Sequence, residues 1–562
     1  MSKQKTSKSK NKSASEKKAE TVSTIRSQNR LEFIVVNILC LLIFLAFGYI
    51  AIMSFFQTCV FDKAQFVSEV VIFQADNVIL NLFFTAVFVA LLFWLRRFYD
   101  FFAKIDLRIM EIALGGWAAL LGIIWIYSVT SIPAADSANL FEAATGAAKD
   151  DFSKFLDNSG FYFSEYYNGH NYFNFFPFQL GFVFFSEIIY RICGTDSSMP
   201  VQVVNVFALA SAYVAMARIS KLLFKRKSIE FITILLLAVC FQPIFLCTFA
   251  YGNITGMASA VWASLFLIKY FQTNRYVWII PAGCLLTLSV IVKYNNLIYL
   301  VAFAAMLLIH SVKEKKWQSI AFAAAMVVAC VGIPQLIIMS YEARANTKFE
   351  GGVTQTMYLD LGLQESYMAP GWYTKTAVED YMKGGYDKER GNAVASQRIS
   401  NRLDEFSEDM GYAFDFFSKK ALSQWNEPSY ESIWVSQVKQ HSSELSGLAK
   451  DIYDGSTGQF FALHFNFYMQ IVFVLFALGI YMLFIFRKSN IETLLLPLVL
   501  LGAFGYHLLF EAKSQYATVY IPLLIPTAAY AMNNVLFGKY QLVKKAVGIV
   551  NKRVSEKQET NQ

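Results

Sequence analysis

Apolar runs long enough to cross a membrane recur along almost the whole chain, and nothing else in the sequence restricts its fold so strongly. A run of about 18 or more apolar residues reaches across the hydrocarbon core, and its backbone can satisfy its own hydrogen bonds there only as a helix. Spans read this way fall at about 33–55, 78–95, 109–131, 201–222, 229–249, 254–270, 276–292, 297–312, 317–341, 461–486, 491–510 and 517–537. The 562 residues are 56% hydrophobic and only 16% charged. A soluble chain carries roughly a quarter charged residues, so the water-soluble globular classes are excluded. The expected fold is an all-α polytopic membrane protein of about 12 spanning helices.

Basic residues in short loops set the orientation. With the N-terminus inside, Arg96, Arg97, Lys104 and Arg108 fall in the cytoplasm, as do Lys221, Lys225, Arg226 and Lys227. Arg275, then Lys313, Lys315 and Lys316, then Arg487, Lys488 and the tail from Lys539 follow on the same side. The apolar stretch 175–192 does not fit as a span, because counting it would throw 225–227 outside. Its FNFFPF opening and Tyr190 suit a helix lying at the outer interface.

Two long segments remain outside. One is a juxtamembrane loop at 132–200, and the other a larger mixed domain at 342–460 with enough Trp, Tyr and Phe to pack. The chain thus divides into a basic cytoplasmic tail at 1–30, two N-terminal spans within 31–108, and a membrane core at 109–341 that carries the 132–200 loop. The 342–460 domain, the last spans within 461–538 and a basic tail at 539–562 complete it. The Lys/Ser-rich stretch 1–30 cannot bury a core and reads as a disordered anchor on anionic membrane lipid, with no nucleic acid as partner. It lacks the features of a cleaved signal peptide, so the first span is retained. Most of the seven cysteines lie inside apolar runs as small hydrophobes, and no spacing points to zinc or a disulfide.

The chemistry has to be sought at the outer boundary. From Asp136 onward Phe141, Ala144, Ala148, Phe152 and Phe155 recur at helical spacing, which predicts an amphipathic helix on the outer face. Asp136 stands at its first turn, where an N-cap is ordinary, and the residue by itself favours that bland role. Lys293 closes the apolar run LLTLSVIVKYNN at an outer end, where a lysine runs against the usual charge bias; snorkelling to headgroups would also explain it. Lys513 in the last outer loop has similar standing. His507 and Glu511, four apart, share one helix face as a hydrogen-bonded pair or, with Asp136, as ligands of a divalent metal. Glu142, Asp150 and Asp151 read as solvated positions. Trp425, Glu427, Tyr430 and Trp434 form either an aromatic sugar platform or a packing core.

Three segments carry a resemblance. After the third span come Asp136, the amphipathic helix and a Tyr-rich stretch ending in the Pro-x-Gln-x-Gly turn that contains Gln179. The others are KKALSQWNEPSYESIW at 419–434 and YHLLFEAKSQYATVYIPLLI at 506–525. Together they resemble the GT-C glycosyltransferases, specifically the Gram-positive relatives of protein mannosyltransferases and aminoarabinose transferases. The chain departs from that pattern at Gln515, where a basic residue is expected before Tyr516, and in its two extra N-terminal spans.

The resemblance implies an enzyme of the bacterial plasma membrane, with both termini cytoplasmic and its site outside. It would move a sugar from a polyprenyl-phosphate-linked donor onto a wall polysaccharide, teichoic acid, lipid-linked glycan or protein. Asp136 becomes the general base, and Lys293 and Lys513 the contacts for the donor phosphate. Gln179, His507, Glu511, Tyr516, Trp425 and Glu427 become substrate-binding. No cofactor is certain, and a divalent metal stays open. A polymerase or ligase for lipid-linked oligosaccharides and a transporter or flippase are the alternatives. The absence of a convincing internal repeat and the crowding of charges at the outer boundary weigh against transport.

Overall fold

The computed structural model describes residues 30–99, 104–161, 164–349, 351–439, 441–442 and 445–538. The basic tails expected at 1–30 and 539–562 lie outside the described residues, except for Arg30, which opens the first helix. Helices α1 (Arg30–Met53), α2 (Val78–Leu95) and α3 (Leu107–Val129) are followed by α4 (Asp136–Ala148) and α5 (Leu180–Cys193). The membrane core continues through α6 (Met199–Phe224), α7 (Lys227–Ala238), α8 (Asn253–Thr273), α9 (Tyr276–Val292), α10 (Leu297–Glu314) and α11 (Gln318–Ala345). A second group comprises α12 (Gln355–Leu363), α13 (Thr376–Lys383), α14 (Lys388–Glu408), α15 (Met410–Trp425) and α16 (Gly447–Asp454). The chain closes with α17 (Ser456–Ile485), α18 (Ile491–Leu509) and α19 (Ile521–Phe537).

Ten helices among the described residues are long and apolar enough to cross a membrane, and an eleventh forms if α7 and the turn after it count as one span bent by 46°. The count falls short of the expected dozen because α9 has only 17 residues. It rises about 25 Å against a hydrocarbon core of about 30 Å. Large apolar side chains such as Leu45, Ile52, Ile112, Val328 and Leu336 point outward. In water such a belt would drive aggregation, and in lipid it costs nothing. The chain is a multi-pass membrane protein.

Helix α5 has 14 residues and is not among the candidate spans. It packs on α4, with the Phe141 and Tyr190 rings edge to face at 5.5 Å. The buried face of α4 is Leu140, Ala143, Ala144 and Ala147, so the helix is turned slightly from the stripe expected through Phe141 and Ala148. Glu187 on α5 is buried; Arg191 meets it at 3.0 Å, and the Arg344 guanidinium and Tyr341 hydroxyl of α11 bond to it as well. Burial works to raise this carboxyl, and the bonds from Arg344, Tyr341 and Arg191 more than offset that, holding it below the ordinary Glu range.

The 342–460 segment was expected to be a mixed domain with its own core. The regular elements among its described residues are helices apart from the two-residue strand His441–Ser442, which pairs antiparallel with Ser131–Ile132 just after α3. Trp372, Tyr381, Trp425 and Trp434 belong to the same buried cluster as Phe47, Tyr299 and Tyr520 of the spans, so the segment packs directly onto the membrane bundle. The two N-terminal spans take part through a hairpin, Gln57–Phe61 paired with Val71–Ala75. From it Cys59 N–H donates to the Asn426 carbonyl (3.0 Å) and Val71 N–H to the Met368 carbonyl (2.9 Å).

Candidate active site

A cleft with a cavity volume of about 130 Å³ opens where the ends of α3, α9 and α18 meet α12. Asp136, Gln179, Lys293, His507, Glu511 and Tyr516 all line it, although they come from four separate stretches of sequence.

Asp136 does not cap α4. The N-cap position is Ala135, whose backbone has φ 52° and ψ −135°, and no side chain caps the helix there. A non-glycine residue in that region costs about 1–3 kcal/mol and persists only where its surroundings enforce it. Here the Ser137 hydroxyl bridges the turn, donating to the Ala134 carbonyl at 2.7 Å. The Asp136 carboxylate is thereby left for tertiary contact, and its Oδ2 accepts from the Tyr251 hydroxyl at 3.3 Å.

Tyr251 is the centre of the arrangement. Gln179 Nε2 donates to the same hydroxyl at 2.7 Å, and Lys293 Nζ stands 3.8 Å from the centre of the Tyr251 ring. The chain reaches this point because the helix after α7 breaks at Phe249 and turns through Gly252, at φ 81°, into α8. Asn205 Nδ2 holds the broken backbone by donating to the Cys247 and Phe249 carbonyls at 3.2 Å each. Two glycines permit the close approach. A Cβ on Gly252 would stand 2.3 Å from the Val292 carbonyl oxygen, and one on Gly181 would stand 2.1 Å from that of Ile291. The Gly of the Pro-x-Gln-x-Gly turn thus lets α5 lie against the end of α9, which carries Gln179 toward Tyr251 and sets Lys293 beside it. Lys293 itself is extended, between α9 and the turn Tyr294–Asn296.

On the α18 side, His507 Nδ1 lies 2.9 Å from the Glu511 backbone carbonyl. A carbonyl only accepts, so Nδ1 carries the proton in this network. The Tyr516 ring stacks on the imidazole at 5.3 Å, and its hydroxyl donates to Glu511 Oε1 at 3.0 Å. Among the described residues no three His, Cys, Asp or Glu side chains converge to hold a metal, so Asp136, His507 and Glu511 do not fit the ligand set considered for them.

Three residues expected at the site lie elsewhere. Lys513 is on the far side of the loop that presents Glu511 and Tyr516; it is buried against Glu69 of the N-terminal hairpin and 3.7 Å from Glu431. Trp425 is 1% exposed and packs edge to face on Phe47 at 5.3 Å. The Glu427 carboxylate closes its own turn, accepting from the Ser429 and Glu431 N–H groups at 2.9 Å each. The aromatic platform therefore gives way to packing, with Trp434 Nε1 donating to the Phe66 carbonyl at 2.8 Å. Glu142 and Asp150 form partly exposed ion pairs with Lys154 (2.7 Å) and Arg191 (2.6 Å).

The cleft also holds residues the sequence did not single out, namely Tyr172, Tyr251, Gln355, Tyr358, Tyr373 and Tyr506. Tyr172 lay within the Tyr-rich stretch, but nothing distinguished it from its neighbours. Tyr251 sat in an unremarked Tyr-Gly-Asn between two apolar runs. Burial, and after it the negative charge of Asp136, pushes Tyr172 and Tyr251 well above the usual tyrosine range. Both therefore stay protonated and act as hydrogen-bond donors.

A carboxylate, an ammonium and several tyrosine donors converging at one end of a membrane bundle suit a transfer reaction with an anionic leaving group. Residues 180–338, which include Gly181, Tyr251 and Lys293, match the Dolichyl-phosphate-mannose-protein mannosyltransferase family. That match bears out the expectation of a glycosyltransferase-class enzyme and does not reach the Gram-positive branch. No curated protein matches the chain. Among solved structures, it is similar to the oligosaccharyltransferase AglB of Archaeoglobus fulgidus in complex with an inhibitory peptide and a dolichol-phosphate. The identity is 12% over 78% of this chain and 52% of that one, with a TM-score of 0.39. An Archaeoglobus fulgidus oligosaccharyltransferase in complex with Zn and sulfate is similar at 14% identity over 79% and 51%, with a TM-score of 0.40. The chain spans about half the length of these two proteins.

Proposed function

We propose that the protein transfers a sugar from a polyprenyl-phosphate-linked donor to an acceptor hydroxyl in this cleft, on the outer face of a bacterial plasma membrane. The observation that carries the reading is the Gln179–Tyr251–Asp136 relay with Lys293 against the same tyrosine ring. Asp136 accepts the proton of the acceptor hydroxyl as its oxygen attacks the anomeric carbon. The bond from that carbon to the phosphate oxygen breaks, and the electron pair leaves with the polyprenyl phosphate. Lys293 meets the charge that develops there, in a site walled by aromatic rings where a cation acts more strongly than in water. Tyr251 and Gln179 hold the carboxylate in place, and Tyr516 and His507 line the remaining wall for the sugar.

The matched family is described by a dolichyl-phosphate-mannose donor and a protein acceptor, so mannose and protein hydroxyls are the first pair to test, ahead of wall polysaccharide, teichoic acid and lipid-linked glycan. The outer placement is supported by the basic loops at the opposite ends of the spans, among them 225–227, 313–316 and 487–488. The test is the sugar composition of wall glycan and surface protein in a deletion strain complemented with the native chain or with Asp136→Asn at equal membrane abundance. Loss of one substituent, restored only by the native chain, is expected. Unchanged composition, or full rescue by Asp136→Asn, overturns the assignment.

A further inference from the structure

The 419–434 stretch was singled out in the sequence, yet none of its side chains lines the cleft. Its Lys420 is 0% exposed. A lysine taken fully out of water is costly unless its N–H groups find acceptors. Here Nζ donates to the Gly362 carbonyl and, at 2.7 Å, to that of Phe510.

Those two carbonyls belong to the two elements that meet across one side of the cleft. Gly362 follows Leu361 at the end of α12, the helix that also supplies Gln355 and Tyr358. Phe510 precedes Glu511 in the loop that runs to Tyr516. The contact between them is close: a Cβ on Gly362 would stand 2.2 Å from the Leu509 carbonyl oxygen and 2.4 Å from the Phe510 carbonyl carbon. Ala512 N–H donates to the Gly371 carbonyl at 2.9 Å, and the Tyr506 hydroxyl lies 3.3 Å from Gln355 Oε1. Lys420 sits behind this joint and bonds both halves of it.

We propose that Lys420 is a positioning residue for the transfer reaction, fixing the loop that carries Glu511 and Tyr516 against the helix that carries Gln355 and Tyr358. The inference rests on the transferase reading above. Lys420 touches no substrate; it acts by holding the carbonyls on either side of the joint, and the two bonds it makes need only two N–H groups, which either protonation state supplies. Burial pulls its pKa down to about 7, with the negative charge of Glu511 acting in the opposite sense.

The test uses the full chain in the complemented deletion strain, reading sugar incorporation at equal membrane abundance together with the melting temperature of the purified protein. Lys420→Met keeps the volume and removes the donors. It is expected to cut incorporation about 10-fold while melting within a few degrees of native, and Lys420→Arg, which keeps the donors, recovers part of the loss. Glu511→Gln supplies the reading that a merely structural role would not move. If the lysine acts through the loop, Lys420→Met adds little further loss in the Glu511→Gln background. Should Lys420→Met fail to accumulate, Lys420→Gln retains an amide donor and is expected to accumulate and lose activity in the same direction. Native-level incorporation by Lys420→Met or Lys420→Gln, or losses that multiply with Glu511→Gln, overturn the inference. A native chain that restores no sugar sinks the transferase reading instead.

Discussion

The Tyr251 hydroxyl donates to Asp136 Oδ2 at 3.3 Å across 115 residues of sequence, while Gln179 donates to that hydroxyl from the other side. The carboxylate proposed as base is thus oriented by a tyrosine that no local pattern connects to it.

If the relay orients the base, its two members differ in cost. Asp136→Asn removes the proton acceptor and is expected to lower transfer by about 100-fold or more. Tyr251→Phe removes the hydroxyl that bonds the Asp136 carboxylate and Gln179 but leaves the ring under Lys293, so a loss of about 10-fold is expected. Sugar incorporation at matched abundance ranks the two. Equal effects, or a larger one for Tyr251→Phe, would show that the tyrosine contributes more than orientation.

Lys293 is expected to act on the departing phosphate. Lys293→Met should reduce transfer by about 100-fold, while Lys293→Arg keeps the charge and part of the activity. The measurement is release of polyprenyl phosphate from undecaprenyl-phosphate mannose by purified variants, after the native chain has been shown to use that donor. Full activity in Lys293→Met would remove the lysine from the mechanism.

The Glu187 network joins helix α5 to α11 through Arg344 and Tyr341. Glu187→Gln is expected to lower stability by about 2 kcal/mol, the scale of hydrogen bonds to a charged group. Because the carboxyl is held below its ordinary value of 4.5, the unfolded chain binds the proton more readily. The network therefore contributes fully above that value and loses its contribution as the pH falls through the folded one. Melting in detergent between pH 3 and 6 should show an acid-side loss below the ordinary carboxyl value in the native chain that Glu187→Gln lacks.

Lys420 gives the opposite window. Its folded pKa of about 7 lies below the ordinary 10.5, so between these values the unfolded state binds more protons and stability rises with pH. Thermal melting from pH 7 to 10 should climb in the native chain more than in Lys420→Met. Parallel curves would mean that the buried amine remains charged throughout.

The spans were legible in the sequence because lipid demands contiguous apolar residues and offers the backbone no other partner, a constraint written one helix at a time. The same reasoning exposed Asp136, Lys293, His507 and Glu511, since ionisable groups at the edges of apolar runs are conspicuous, and the Pro-x-Gln-x-Gly resemblance exposed Gln179. What remained hidden depended on which way a side chain turns once distant segments pack. Lys513 and Glu511 lie two residues apart in one loop, yet one faces the N-terminal hairpin and the other the cleft. Trp425 and Glu427 resembled a binding platform until the spans closed over the tryptophan and the glutamate folded back on its own turn. Tyr251 gained its place from a helix break and two glycines that bring separate backbones together, and Tyr358 from a helix of the 342–460 segment. The sequence by itself determined which stretches enter the membrane and which residue types stand at its edge. Only the tertiary structure decided which of them share a cleft, because that follows from contacts between segments 40 or more residues apart, such as Gly252 with Val292 and Tyr251 with Asp136.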